Sequence, residues 1–321
     1  MELPRRPEDV PAAVDDALLA AVLADGRPPL LTGTAPETVL YVHGLGHDGW
    51  DFGPMVARHA PATDGSISGL SARVLDLPGF GPALLTSPPT PVTMTMMVNA
   101  VVVAARACER PPVVCASSLG GHVALLAAMQ HPGVFAGVSL LAPGGLVDVP
   151  TATQAVLRAY YSVDGIMGRK DDEIVRNSRR IFVRPSATSE ALATRKLCWH
   201  RASRAMKERF AVPFSSIVSD VFGSFLGGSI HQLQGVPMQV IFGEGDIVVP
   251  LSSGRLLERA CGARLHILRG VGHTPHLEDP DTTWRLVSDF ARDAFARASA
   301  PTPTTIDADA TGGSDVSRLL D

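Results

Sequence analysis

The chain has 321 residues, a formal net charge of −4, and a composition that is 45% hydrophobic and 19% charged. That length suits one large α/β domain with an insertion or two small domains, and the charge balance gives no reason to expect nucleic acid as a partner. The cysteines Cys108, Cys115, Cys198 and Cys261 are widely spaced and none forms a CxxC pair, which argues against a zinc site or disulfide framework and fits a reducing compartment.

The opening residues, Met1-Glu2-Leu3-Pro4-Arg5-Arg6-Pro7-Glu8-Asp9, carry acids and no apolar stretch behind them, so no secretory signal is predicted. Leu18 to Leu23 is far shorter than the ~20 apolar residues of a membrane span, and the expected address is the cytoplasm, with no membrane partner. Residues 11–25 read as a short helix stopped by Gly26 and Pro28, within a lead-in over 1–36. Beyond it, β-rich runs alternate with helical patterns. The predicted strands are Thr38–Val42, Ala72–Leu75, Val113–Ala116, Gly137–Leu141, Met238–Phe242 and Arg264–Leu268. Near-continuous apolar strands separated by helices imply a mostly parallel, doubly wound sheet, an α/β fold whose ligand site lies past the carboxyl ends of the strands.

The alternation stops between about Gly145 and Gly235. There Leu192, Trp199, Met206 and Phe210, and then Phe214, Ile217, Val218, Val221, Phe222, Phe225 and Leu226, recur at helical spacing. A helical cap over 146–234 is the expectation, inserted into a core of 37–145 and 235–297. From residue 298 a Ser/Thr/Pro/Asp/Gly-rich segment reads as a disordered tail.

Three strand ends carry the chemistry. In Val113-Val114-Cys115-Ala116-Ser117-Ser118-Leu119-Gly120-Gly121-His122, a serine stands between a buried strand and helix formers. A sharp strand–helix turn that exposes Oγ needs small residues two before and two after it, which selects Ser118 (Ala116, Gly120) over Ser117 (Cys115, Leu119). Asp246 follows the strand ending at Phe242 in a Gly243-Glu244-Gly245 turn, and His273 follows the next in a Gly/Pro-constrained loop. A serine needs a base and a carboxylate that orients the base, and the order Ser118, Asp246, His273 supplies them. Glu244 is the alternative acid and His276 the alternative base. His43 and His122 read as structural or pocket-lining, Trp50 as packing, and Asp76 as fixing its loop.

With His43-Gly44-Leu45-Gly46 and Asp76-Leu77-Pro78-Gly79-Phe80-Gly81 added, the four motifs resemble the α/β-hydrolase superfamily, in its capped esterase/epoxide-hydrolase-like branch. The resemblance spans residues 38 to about 295. It implies Ser118 as nucleophile, His273 as general base then acid, Asp246 as its orienting partner, and an oxyanion hole from the Leu45 and Leu119 backbone N–H groups. Gly44, Gly46, Gly120, His43 and Trp199 support or line the pocket. Ala116 stands where the family usually has glycine. Serine at position 118, where dehalogenases and epoxide hydrolases of this branch need a carboxylate, points to acyl-enzyme chemistry. The expected activity is hydrolysis of an ester or thioester of a small to medium apolar substrate, without metal or organic cofactor. C–C bond hydrolysis of a diketone or dienoate is the chemical alternative, although the Gly-rich loop of such members is matched only in part. A non-hydrolytic ligand-binding member of the fold is the alternative from another class.

Residues 169–210 hold twelve Lys/Arg against five acids. They read as solvated outer faces of cap helices, with Arg195 or Arg201 as candidates for attracting an anionic substrate.

Overall fold

A computed structural model describes residues 2–59 and 69–299. From residue 300 onward the expected tail lies outside the described residues. The sheet comprises β1 (Leu31–Thr32), β2 (Thr38–Val42), β3 (Ser71–Leu75), β4 (Val113–Ser117), β5 (Gly137–Leu141), β6 (Met238–Gly243) and β7 (Arg264–Leu268). The six expected strands form within a residue of their expected bounds. β1, at two residues, is too short to leave a periodic signal. The strands lie in the order β1-β3-β2-β4-β5-β6-β7, with β1 antiparallel to β3 and the other pairs parallel.

Helices α1 (Asp16–Ala24), α2 (Gly53–Val56), α3 (Met94–Arg106) and α4 (Leu119–Gln130) precede the insertion. Within it lie α5 (Thr151–Tyr160), α6 (Val163–Met167), α7 (Asp171–Arg179), α8 (Ala187–Arg201) and α9 (Arg204–Val221). Then follow α10 (Ser252–Cys261), α11 (Pro275–Glu278) and α12 (Pro280–Ser299). Alternate residues of the central strands feed two apolar layers, as the pleat requires. Leu40, Val42, Val114, Ala116 and Leu140 pack with Val98, Val101, Val123 and Leu125 of α3 and α4. Val39, Tyr41, Val113, Cys115 and Leu141 pack with Phe52 and with Phe290 and Ala291 of α12 on the other face. The sheet is therefore covered on both sides, which is why its central strands carry no polar alternation.

Two helix boundaries differ from expectation. The first helix begins at Asp16, not at residue 11, because the Asp15 carboxylate accepts the Leu18 N–H (2.7 Å) as its N-cap. Val14 is extended and bridges Ala202. The helical stripe beginning at Phe214 ends at Val221. Phe222–Leu226 form a turn in which the Leu226 N–H donates to Gly145 O (2.9 Å), burying Leu226 while Phe225 stays exposed. α1 does not stand apart as a lead-in: its Leu19 and Leu23 are buried against Leu197, Cys198 and Met206 of the insertion. No described helix is long and apolar enough to cross a membrane.

Candidate active site

Between β4 and α4 the backbone turns at Ser118, with φ 51° and ψ −114°. A positive φ at a residue bearing a side chain costs about 1–3 kcal/mol and persists only where the surroundings hold it. They do: the Ser118 N–H donates to Leu141 O (2.9 Å), and its carbonyl accepts from Gly144 N (3.0 Å) and His122 N (3.2 Å). Ser118 sits at the N-cap position of α4, yet its hydroxyl makes no capping bond, so the oxygen is left to the cavity that Ser118 lines. A Cβ added at Gly120 would lie 2.5 Å from His43 O and 2.6 Å from Val42 O, and one at Gly44 would lie 3.2 Å from Ser118 Cβ. The clearance expected around the turn is real.

At the ends of β6 and β7, Asp246 Oδ2 lies 2.9 Å from His273 Nδ1. The other oxygen, Oδ1, accepts the Val248 and Val249 N–H groups (2.7 and 3.0 Å), so the buried carboxylate is fixed at both ends. His273 lines the same cavity as Ser118, and its N–H donates to Ile181 O (2.9 Å), tying its loop to the insertion. Glu278, to which the sequence drew no attention, locks that loop. Its Oε1 accepts from Gly272 N (2.9 Å) and from the Thr274 hydroxyl (3.2 Å), and its Oε2 from Val183 N (2.9 Å). Neither alternative candidate reaches the pair. Glu244 is exposed, and His276 is fully buried, stacked on Phe52 with ring centroids 4.8 Å apart, and absent from the cavity wall.

The cavity has a volume of about 410 Å³. Gly44, Leu45 and Gly46 line it beside Ser118, and Trp199, Phe210 and Phe214 form apolar wall. Trp50, expected to be packing, also lines it, with the Arg195 guanidinium 4.9 Å above its ring. His43 is fully buried and does not line it. Its Nδ1 meets Gly44 O (2.8 Å) and its Nε2 accepts the Leu77 N–H (2.9 Å), pinning the Gly44 loop to the one after β3. Asp76 fixes a neighbouring loop, accepting the Gly49 N–H (2.8 Å) and pairing with Arg27. His122 is likewise structural: Nε2 meets Ser224 O (2.7 Å), and burial lowers its pKa to about 4. Among the described residues, no group of three or more His, Cys, Asp or Glu is placed to hold a metal ion.

Within the basic stretch, Arg176, Arg179 and Arg204 are exposed as expected, and the two residues singled out are engaged elsewhere. Arg195 is buried and spans to the carbonyls of Val22 and Leu23 and to Asp48 Oδ2 (3.2 Å). Arg201 binds Asp171 (2.8 Å) and the Val10 and Pro11 carbonyls. Both tether the N-terminal segment, and Arg195 borders the cavity with its guanidinium already committed to that segment. Arg169, Arg180, Lys196 and Lys207 also carry charge on the cavity wall. Lys196 Nζ lies 3.3 Å from His47 Nε2, and His47 Nδ1 lies 2.6 Å from Asp51 Oδ2. Burial lowers the Lys196 pKa to about 8 and moves His47 below its ordinary value. Burial opposes the Asp51 charge, but His47 and His276 more than offset this and hold it well below the usual carboxylate range. No periodicity marks this cluster. The only signal was a lysine beside an arginine on one helix and a histidine four residues past His43.

Residues 39–286 match the model of the alpha/beta hydrolase family, and the chain belongs to that family. It is similar to the monoacylglycerol lipase abhd6-A of Xenopus laevis, 26% identical over 188 residues, which is 54% of this chain and 52% of that protein. The chain thus spans about half the length of the lipases it matches. It is similar over more of its length to the pimeloyl-[acyl-carrier protein] methyl ester esterase of Aromatoleum aromaticum, 28% identical over 264 residues, 76% of this chain and 96% of that protein. In fold it resembles a thermophilic esterase from Thermogutta terrifontis, with a TM-score of 0.65 at 19% identity, covering 82% of this chain and 92% of that one.

Proposed function

We propose that the protein is a serine hydrolase that cleaves a carboxylic ester or thioester of small to medium size through an acyl-enzyme. The observation that carries this reading is the 2.9 Å contact of Asp246 with His273 Nδ1, on a cavity whose wall also holds the uncapped hydroxyl of Ser118. With Nδ1–H donated to Asp246, His273 presents an unprotonated Nε2 as the base for the Ser118 proton. Ser118 attacks the carbonyl, and the developing oxyanion is met by the N–H groups of Leu45 and Leu119. Leu119 is the first residue of α4, so its N–H has no partner within the helix. Preorganised donors of this kind contribute roughly 3–4 kcal/mol each to the transition state. His273 then protonates the leaving alcohol, and water repeats the sequence on the acyl-enzyme. The insertion acts as a cap, closing the cavity with Trp199, Phe210 and Phe214. The relatives named as lipase and esterase support ester chemistry. Four free thiols fit a cytoplasmic setting.

A fluorophosphonate probe tests this directly. The wild-type protein takes one label and loses ester hydrolysis with it, and Ser118→Ala takes none. A folded wild-type protein that neither labels nor hydrolyses p-nitrophenyl esters would sink the reading.

A further inference from the structure

Among the cations on the cavity wall, Lys196 has hydrogen-bonding capacity that the protein leaves partly unused, and Arg169 adds its charge nearby. Lys196 is enclosed by protein but keeps some accessible surface, and that surface is part of the cavity wall. An ammonium has three protons to donate. His47, its Nδ1–H committed to Asp51, takes one on Nε2. Among the described residues no protein group accepts the other two. Arg169 stacks on Tyr160 and Tyr161, with Cζ 4.4 and 4.9 Å from the ring centroids, and its Nη2 donates to Tyr160 O (3.2 Å). Its Nε is enclosed by protein and ion-paired with Glu173 at 3.7 Å, so Arg169 contributes its charge to the cavity and not a free Nε–H.

The acids lining the same cavity do not fill this need. Asp48 is engaged by Arg195 (3.2 Å), Arg27 (3.4 Å) and the Trp50 N–H (2.7 Å), and Asp51 by His47. Arg180, His200 and Lys207 add further positive or protonatable groups to the wall. The repulsion between Arg169 and Lys196 adds to burial in lowering the lysine's pKa, and a value of about 8 still leaves it mostly charged at neutral pH. The cluster is also close to the chemistry. His47 closes a turn on Gly44 (His47 N to Gly44 O, 3.3 Å), and Gly44 lies against Ser118.

We propose that Lys196 and Arg169 form a subsite for a carboxylate carried by the substrate, so that the ester cleaved at Ser118 is a half-ester with an apolar body and a free acid at its far end. His47 and Asp51 are positioning residues that hold Lys196 toward the cavity. The specificity claim rests on the serine hydrolase reading; the anion subsite itself does not. The two unused ammonium protons match the two oxygens of a carboxylate, and the Arg169 charge beside them adds to the attraction.

Two measurements test it. The first compares kcat/KM for monomethyl adipate with that for methyl hexanoate, its neutral counterpart, by pH-stat. Wild-type protein favours the half-ester at least tenfold. Lys196→Met reduces that ratio about tenfold or more, chiefly through KM, whereas Lys196→Arg keeps most of it. A wild-type ratio near one, or a ratio that Lys196→Met leaves untouched, overturns the specificity. The second needs no turnover. In Ser118→Ala protein, the fluorescence of Trp50 and Trp199 on the cavity wall is titrated with adipate and, separately, with inorganic phosphate. Saturable adipate binding that weakens tenfold or more on adding Lys196→Met supports the subsite. No adipate binding, or phosphate binding as tight and as dependent on Lys196, overturns its assignment to a carboxylate. If neither ester is hydrolysed and no fluorophosphonate label forms, the hydrolase reading fails while the titration still decides the subsite.

Discussion

Gly243, the last residue of β6, has no side chain for a steric reason that bears on catalysis. A Cβ built there would lie 2.1 Å from Gly272 O and 2.3 Å from Val271 O. Ordinary contacts begin near 3.4 Å, so an alanine requires the Val271–Gly272 carbonyls to retreat by about 1 Å. Those carbonyls are backbone, and the residue that follows them is His273. The shift moves the imidazole away from Asp246 and Ser118, because Asp246 is held separately by its bonds to Val248 and Val249. Misplacement of a catalytic group by about 1 Å costs on the order of 10²-fold in rate, and overpacking costs roughly 1–3 kcal/mol of stability. We therefore expect Gly243→Ala to remain folded at 25 °C, with a lower urea midpoint and kcat/KM on p-nitrophenyl butyrate down about 100-fold. Gly228→Ala serves as control, since its added Cβ meets nothing within 4 Å. If Gly243→Ala stays within about threefold of wild type in kcat/KM, the close packing of β6 on the histidine loop does not set the geometry, and the steric reasoning is wrong.

Two further outcomes are expected. Burial lowers the pKa of both His59 and His122 from 6.5 to about 4, so the unfolded chain takes up protons that the folded chain refuses as pH falls from 6.5 toward 4. Stability is lost across that window by roughly 2 kcal/mol per histidine at pH 5, and His122→Asn should shrink the pH 7 to pH 5 difference in urea unfolding by about that amount. Arg195→Met leaves the Val22 and Leu23 carbonyls and Asp48 without their cation, and should cost about 3 kcal/mol in the same assay. A stable Arg195→Met protein with weakened anion binding would restore the reading of Arg195 as a substrate contact.

The contrast between Arg195 and Lys196 shows where sequence reading stops. Ser118, Asp246 and His273 drew attention because each follows a strand of the sheet, and a parallel sheet brings strand ends together whatever the connections do. The roles of α8 were not legible. Adjacent helical residues point about 100° apart, so one of the two cations faces the N-terminal carbonyls and the other the cavity. Which does which depends on how α8 docks on α1, through Leu19, Leu23, Leu197 and Cys198, and no local pattern encodes that docking. Trp50 packs against Phe182, Leu192 and Leu277 as expected, and its place on the cavity wall depends on the same docking. The start of α1 was misplaced because Pro11–Val14 has helical composition but Asp15 is the residue able to cap.

The tethers also bear on how the insertion moves. Ile181 O receives the His273 N–H, and Val183 N donates to Glu278, so the segment between α7 and α8 is bonded to the histidine loop itself. Arg195 joins α8 to Asp48, one residue past His47 on the loop that carries Leu45. A cap that opened as a rigid lid by swinging all five helices would break both attachments, and would displace the His273 loop and the Leu45 loop together. Substrate entry that preserves the site must instead come from the side where neither tether lies, past α5 and α6. There Leu157, Tyr160, Tyr161 and Ile166 line the cavity, and α5 buries none of its residues. The less buried wall and the wall bonded to the His273 loop are thus different parts of the same insertion. Arg169, which follows α6 and stacks on Tyr160 and Tyr161, lies on the boundary between them. An anion bound there would draw the loosely packed wall toward Lys196 and close the cavity over the ester.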